Sequence, residues 1–396
     1  MRNAIYFQSG GPTAVINASF YGVIKGFIKN QDKIGTLYGS RYGIEGIIND
    51  DLVVIEKDIS LYEEIKELNG AILGSARFKL KGLEDPKYEQ ILKTFKKYNI
   101  GYVFVNGGND SMDTADKLNK FFASIGYDCI VIGVPKTIDN DLINTDHCPG
   151  FGSAAKYVVR SVMEVALDLK SYSKGRVTIM EIMGRDAGWL GATSALANIY
   201  DLGPDLIYLP ERAFDMKKFL EDVKRIYDKQ GYVYVCVSEA LKNDKGEYVS
   251  ASGVLDSFGH QQLGSVCRFL EDVINQQLHI KTRSIELSLL QRSACHILSK
   301  IDQEEAIGVG ENAVDFAIKH EVGMVSIARE KSNPYKSSYK LTPLAEVANA
   351  IKRVPQDFIN EEGNGVTQKL IDYVLPFIDG DEIGIKSANI FLKKEK

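Results

Sequence analysis

The chain has 396 residues, material for two to three average domains with sizeable cores, and its 44% hydrophobic and 26% charged residues describe an ordinary globular protein. A formal net charge of -5 excludes a general basic face for nucleic acid, so any cationic patch has to be local. No run of about 18 apolar residues argues for a membrane span. Cys129, Cys148, Cys236, Cys267 and Cys295 are odd in number and lack CxxC spacing, which argues against a zinc site and a disulfide framework. The opening MRNAIYFQSGG reads as a short strand ending in glycines, unlike a secretory leader, so a reducing, cytoplasmic setting is expected.

In chain order, the first apolar strand candidate is Ala4 to Phe7, followed by Ser9-Gly10-Gly11-Pro12-Thr13 and a helical pattern over Ala14 to Ile24. Strand, glycine pair and helix let backbone N–H groups approach an anion. A tight turn with no ligand explains the glycines almost as well, and no GxxxxGK[ST] motif occurs. The same grammar returns after the strand Tyr102 to Val105, where Asn106-Gly107-Gly108-Asn109-Asp110-Ser111 adds an amide and a carboxylate, with Asp113 and Asp116 beyond. Asp110 also suits the positive end of a helix dipole, which alone would justify an acid there.

A buried strand from Cys129 to Val134 leads into Pro135-Lys136-Thr137-Ile138-Asp139-Asn140-Asp141. Groups just past the carboxyl end of a strand face the ligand crevice of an open α/β sheet. Two carboxylates two residues apart, beside a hydroxyl and a cation, suit phosphoryl transfer to an alcohol. One takes a proton, the other organises a metal, and the lysine neutralises phosphate. A solvated turn is the bland alternative, since Pro, Asp and Asn are common turn residues.

Ser153 to Leu169 reads as a helix with Ser153 as N-cap and Ala154, Tyr157, Val158, Ser161, Val162, Val165 and Leu169 on one stripe. The strand Val177 to Met183 has Arg176 at its start and Gly184-Arg185-Asp186 at its end. Arg185 can fork onto a phosphate or pair with Asp186 or Glu181. Glu239 follows the strand Tyr232 to Val237 and can accept from sugar hydroxyls, while Arg283 and Arg292 add positive charge. Thr342-Pro343 starts a further helical pattern carrying Leu344, Val347, Ala348 and Ile351 inward. The polar loop 361–365 precedes a last helical segment around Val366 to Leu375. No histidine has paired metal-ligand spacing, and no repeat or low-complexity linker appears. The alternation predicts an α/β fold with mainly parallel sheets.

Together these segments resemble the phosphofructokinase family. The resemblance rests on SGGPTAVINA (9–18), GAILGSARF (70–78), NGGNDS (106–111), PKTIDND (135–141), MEIMGR (180–185), SE (238–239) and Arg283 with LLQR (289–292), in the family order. It implies two similar three-layer α/β sandwich domains with the active site in the cleft between them. Residues 1–150 would form the donor domain, rejoined by part of 255–330, and 151–255 the sugar-phosphate domain; 340–396 would be a C-terminal packing extension. It implies Asp139 as the base for the sugar 1-hydroxyl, beside Thr137, Ile138 and Asp141. Met183, Gly184 and Arg185 would bind the sugar phosphate, Glu239 the sugar hydroxyls, and Arg292 the substrate phosphate. Arg176 and Arg283 would reach a neighbouring subunit's site, which implies at least a homodimer. Gly11, Arg77 and Gly108 match donor-binding positions.

Two positions choose the donor in that family. Asp110 and Lys136 replace the glycines of ATP-using members, and the pair is associated with pyrophosphate. A carboxylate at 110 crowds and repels a nucleotide α-phosphate, and a cation at 136 stabilises a compact phosphate leaving group. The resemblance thus implies magnesium-assisted transfer from pyrophosphate to fructose 6-phosphate in the long, pyrophosphate-dependent branch. Two departures stand out. Asn109 replaces an acid that helps hold magnesium, leaving Asn109 and Asp141 as the metal candidates, and Leu289 stands where many members have a substrate-contacting histidine. An ATP-dependent enzyme and a non-catalytic regulatory subunit are the alternatives. A dinucleotide-binding oxidoreductase is poorer, because no strand-linked GxGxxG is present.

Overall fold

The computed structural model describes residues 1–172, 174–255 and 261–378, with backbone alone for 251–255 and 261–263. The end of the expected C-terminal extension, 379–396, lies outside the described residues. In chain order the strands are β1 (Asn3–Gln8), β2 (Leu37–Ser40), β3 (Leu52–Ile55), β4 (Ile100–Gly107), β5 (Ile130–Pro135), β6 (Val177–Ile182) and β7 (Leu206–Tyr208). They continue with β8 (Val233–Ser238), β9 (Ala251–Leu255), β10 (Gln261–Leu263), β11 (Thr282–Glu286), β12 (Gly323–Ser332) and β13 (Tyr335–Thr342). The longer helices are α1 (Ile16–Lys29), α2 (Lys87–Lys97), α3 (Asn109–Ser124), α4 (Phe151–Lys170), α5 (Met216–Gln230), α6 (Val266–Gln277) and α7 (Lys300–Ala317). Contacts divide the chain into one unit of Met1–Ser153 with Arg292–Lys352, and another of Ala154–Gln291 with the chain from Arg353 onward.

The first unit is built on a seven-stranded sheet of order β13-β12-β5-β4-β1-β2-β3. Its centre is parallel: β1 pairs with β2 and β4, β4 with β5, and β5 with β12. Alternate side chains of the central strands enter opposite cores, as a two-residue period requires. Ile5, Phe7, Val103, Val105 and Val131 join α2 and α3 on one face. Ala4, Tyr6, Tyr102, Phe104, Ile132 and Val134 join α1 and α7 on the other. Burial on both faces is why these strands read as continuous apolar runs in the sequence. The antiparallel edges, β2–β3 and the β12–β13 hairpin, escape that signal because short or polar edge strands lack it. The second unit carries the parallel sheet β11-β6-β8-β7, with α5 and α6 packed on Val177, Ile179, Val233, Val235 and Val237.

Two helix expectations need correction. Ser153 is not the N-cap, because α4 already starts at Phe151; Asp302 of α7 instead accepts from the Gly150 and Ser153 amides and the Ser153 hydroxyl (2.6–2.9 Å). A buried carboxylate from another helix thus satisfies the orphan donors of that terminus. The pattern after Thr342-Pro343 forms only the single turn Leu344–Val347, and Ile351 is 43% exposed. The next residues leave the helix to make hydrogen bonds described below.

Gly22 of α1 and Gly310 of α7 bring these helices into backbone contact: a Cβ on Gly310 would lie 2.1 Å from the Ser19 carbonyl oxygen, and one on Gly22 2.0 Å from that of Ile307. Helix propensity alone favours Gly310→Ala by about 1 kcal/mol. Overpacking opposes it by about 1–3 kcal/mol, and a backbone neighbour cannot rotate away. The expected outcome is a lower urea midpoint; an unchanged or raised midpoint would mean that the helices separate at little cost.

A buried ionic network sits beside the same helix. His147 Nδ1 lies 2.9 Å from Asp146 and Nε2 2.5 Å from Glu305; Tyr335 donates to Glu305 at 2.6 Å and Arg329 to Asp146 at 2.8 Å. Burial disfavours the imidazolium, but the Glu305 charge and the hydrogen bonds to both carboxylates hold its pKa up at about 9. A pKa raised above its unfolded value, about 6.5, contributes stability that is complete below that value and disappears as pH rises through about 9. Stability is therefore expected to fall between pH 7 and 10, by on the order of 1–3 kcal/mol. The slope should flatten in His147→Gln; urea midpoints with the same slope in both proteins would exclude this histidine as the cause.

Candidate active site

In the first unit β1, β4 and β5 are sheet neighbours, so the turns after their carboxyl ends stand side by side. That is the crevice position of an open parallel sheet. The first turn is threaded by the GAILGSARF segment: Ser9 bridges Ala76, the Gly10 amide donates to Ala76 O (3.2 Å), and the Ser75 hydroxyl donates to Gly10 O (2.6 Å). Gly10 has φ +76°, and a Cβ on Gly11 would lie 2.2 Å from an Arg292 guanidinium nitrogen. The glycine pair therefore lets Arg292 pack on the backbone. Helix α1 begins at Ile16, so the pair precedes the helix by several residues and does not cap it.

The Gly107-Gly108 turn leads directly into α3, whose first turn holds Asp110. The Asp110 side chain makes no hydrogen bond or ion pair among the described residues, consistent with either a dipole role or a ligand-facing one. Lys136 joins the turns. Its amide donates to Gly107 O (3.0 Å), and its ammonium, 3% exposed, donates to Gly11 O (2.6 Å). Burial lowers its pKa to about 7; Asp139 pulls it up, Arg292 and Arg77 push it down, and Asp141 pulls it up again. Lys136, Asp139, Asp141, Arg77 and Arg292 therefore share one electrostatic neighbourhood.

Thr137 and Ile138 are buried, while Asp139 and Asp141 are half-buried. The Asp139 amide donates to Thr137 Oγ1 (3.1 Å), and the Thr137 amide to Pro149 O (3.1 Å). Asn140, fully buried at φ +55°, accepts through Oδ1 from the Cys148 amide (3.1 Å) and the Lys352 ammonium (3.2 Å). Asn109 accepts at Oδ1 from the Asn349 amide (3.0 Å) and donates to Ala350 O. Its amide thus anchors a later segment, an alternative to metal binding that spacing could not suggest. No cluster of three or more His, Cys, Asp or Glu suits a metal among the described residues. Oxygen groups such as Asp141 and Asn109 still fit magnesium, which takes few protein ligands when phosphates supply the rest.

In the second unit the turn after β6 is shaped by a carboxylate from the end of β8. Glu239 Oε1 accepts from the Gly184 (3.2 Å) and Arg185 (2.9 Å) amides. Gly184 has φ +151°, and a Cβ there would lie 2.5 Å from Ala187 O. Gln291, 2% exposed, accepts from the Met183 amide (3.3 Å) and donates to Ser288 O (3.0 Å). Sequence reasoning passed over it, although it directly precedes Arg292. Met183, Glu239, Ser288 and Gln291 line a cavity of about 190 Å³ together with Glu181, Glu286, Ser265 and Gly264. Leu289 is 55% exposed beside this loop.

The two acids proposed as structural partners for Arg185 are engaged elsewhere. Asp186 accepts from Lys242 (2.5 Å) and Tyr248 (3.0 Å), and Glu181 from Cys267 N (2.9 Å) and Ser265 (3.2 Å). Arg185 itself is exposed. Arg176 and Arg283 do not join this turn. Register places Arg283 opposite Thr178, and both arginines line a separate groove of about 450 Å³ with Asp168 and Glu164 of α4. The six residues of β6 separate Arg176 from Met183, seven steps or roughly 23 Å at 3.3 Å per residue.

The Phosphofructokinase family model matches residues 3–317. The chain is 41% identical over 387 residues to the pyrophosphate--fructose 6-phosphate 1-phosphotransferase of Xanthomonas campestris, covering 96% of this chain and 92% of the relative. It is 39% identical over 389 residues to the protein of that name from Methylococcus capsulatus, with the same coverage. The crystal structure of a pyrophosphate-dependent phosphofructokinase from Nitrosospira multiformis superposes with a TM-score of 0.85 at 38% identity, over 95% of this chain and 92% of that one. The chain belongs to the phosphofructokinase family.

Proposed function

We propose that this member of the phosphofructokinase family transfers a phosphoryl group from pyrophosphate to the 1-hydroxyl of fructose 6-phosphate. The products are fructose 1,6-bisphosphate and phosphate, and the reaction is reversible. The observation that carries the donor assignment is Lys136. Its buried ammonium rests on the Gly11 carbonyl beside the first glycine turn, in the place where ATP-using members have no side chain. Asp110, at the head of α3, adds a negative charge that a nucleotide would have to pass.

Asp139 takes the proton from the attacking hydroxyl, and Thr137 and Ile138 shape the floor beneath it. Gly11, Gly108, Arg77 and Lys136 hold the donor. Lys136, with a pKa of about 7, gains charge as pyrophosphate brings anionic oxygens to it. Arg185 and Arg292 take the sugar phosphate, and Glu239 both holds the Met183–Arg185 turn and meets the sugar hydroxyls. Asp141 and Asn109 would hold magnesium, which neutralises charge on the transferring phosphoryl group. Catalysis is then mostly positioning and charge neutralisation.

The remoteness of Arg176 and Arg283 from the Met183 turn supports their use in a neighbouring subunit, and hence a homodimer at least. The expected cytoplasmic setting accords with five unpaired cysteines. Among the described residues no helix is long and apolar enough to cross a membrane.

Pyrophosphate, ATP or no donor, each with fructose 6-phosphate and magnesium, tests the proposal directly. Product with pyrophosphate alone is expected; a preference for ATP would overturn the donor assignment. Arg185→Ala should raise the KM for fructose 6-phosphate about 10- to 100-fold, because a hydrogen bond to a charged group contributes about 1.5–3 kcal/mol. If that KM stays put, Arg185 does not hold the phosphate.

A further inference from the structure

Residues 349–352 pass from one reacting turn to the other. Asn349 and Ala350 bond to both polar atoms of Asn109, and Asn349 Nδ2 donates to Asp113 of α3 (3.0 Å). Two residues on, the Lys352 amide donates to Asp141 O (2.7 Å). The Lys352 ammonium then donates to Asn140 Oδ1 (3.2 Å), Thr145 O (3.2 Å) and Asp146 O (2.8 Å). Three acceptors match the three N–H bonds of an ammonium. Burying that cation costs free energy that an apolar side chain would not cost, and its pKa is pushed down by burial accordingly. An expensive buried charge whose bonds go to the loop around Asp139 and Asp141 calls for an explanation other than stability.

We propose that Lys352 is a positioning residue for phosphoryl transfer. It clamps Asn140 and the 145–146 backbone, and the segment 349–352 fastens that clamp to the Asn109 turn. The two carboxylates flanking Asn140 are thereby fixed in direction relative to the donor turns. Asn140 sits in the left-handed region, where an unsupported side chain leaves the backbone free to relax, and the bonds to Cys148 and Lys352 hold it there. The inference rests on the reading of Asp139 as the base. It also accounts for Asn109: an amide can donate to Ala350 and accept from Asn349, whereas a carboxylate can only accept.

The test compares wild type, Lys352→Met and Lys352→Arg in the full chain. Misplacement by about 1 Å can cost on the order of 100-fold in rate. Lys352→Met is therefore expected to lower kcat by about 10- to 100-fold, with both KM values within about threefold of wild type. Lys352→Arg should recover part of the loss, since it keeps charge and donors. Hydrogen exchange of peptides spanning 137–148 without substrates should speed up in Lys352→Met. Wild-type kcat in folded Lys352→Met, a rise in KM alone, or unchanged exchange would overturn the proposal. If Lys352→Met fails to fold, Asn349→Gly, which cuts the link to Asp113 while tolerating the left-handed φ of +62° at that position, should lower kcat by about 2- to 10-fold; wild-type kcat there would overturn it equally. Rates are taken with whichever donor wild type uses, so a failed donor assignment leaves this test standing. The exchange readout is independent of the role of Asp139.

Discussion

Asp139→Asn is expected to remove most turnover while fructose 6-phosphate still binds. Loss of a general base typically costs on the order of 100- to 10,000-fold in rate, and the amide is nearly isosteric with the carboxylate. The local fold should survive, because the side chain keeps its size and the Asp139 backbone amide keeps its bond to Thr137 Oγ1. The substitution also removes a negative charge that pulls the Lys136 pKa upward, so Lys136 should titrate at a lower pH in the variant. Residual activity would then fall further above neutrality than it does in wild type. Steady-state kinetics across pH, with binding measured separately, checks both statements. Turnover close to wild type would remove Asp139 from the mechanism.

The second large effect concerns the donor. Asp110→Gly deletes a carboxylate that contributes no ion pair among the described residues, so the cost in stability should be limited to about 1 kcal/mol of helix propensity and a lost dipole interaction. The gain for ATP can be much larger. Like charges about 4 Å apart at an effective dielectric near 20 repel by roughly 4 kcal/mol, or close to a thousandfold. Lys136→Gly should act otherwise, lowering kcat with pyrophosphate by about 100- to 1,000-fold as the leaving phosphate loses its cation. It should not by itself admit ATP, because Asp110 remains. Efficient ATP use then needs both substitutions. The measurement is kcat/KM for each donor across wild type, both single variants and the double variant at fixed free magnesium. A folded Asp110→Gly protein that gains no ATP activity would contradict the charge argument.

The central strands, the three turns that follow β1, β4 and β5, and the Met183–Arg185 turn were all legible in the sequence. Buried parallel strands need apolar residues on both faces, and turns with φ above zero or close backbone approach need glycine or asparagine. Those demands are local, so they write local signatures: Gly10, Gly184 and Asn140 stand where such a backbone requires them. The positions of Asp110 and Lys136 were legible too, as each sits one or two residues past a strand or glycine turn; their pairing as a choice of donor came from the family resemblance.

What only the tertiary structure decided is which distant groups satisfy these turns. Asp302 caps α4 from 149 residues away, Glu239 holds the Gly184 turn from the end of another strand, and Arg292 lies on Gly11. The clamp by Asn349 and Lys352 falls where a helical pattern was expected, because three polar acceptors outcompeted the apolar spacing of Leu344, Val347 and Ile351. A hydrogen bond needs only one donor and one acceptor brought within about 3 Å, and it leaves no periodic trace in either segment. The sequence by itself therefore determined the central parallel strands and the turns at their ends, whereas the fold determined which side chains hold those turns in place.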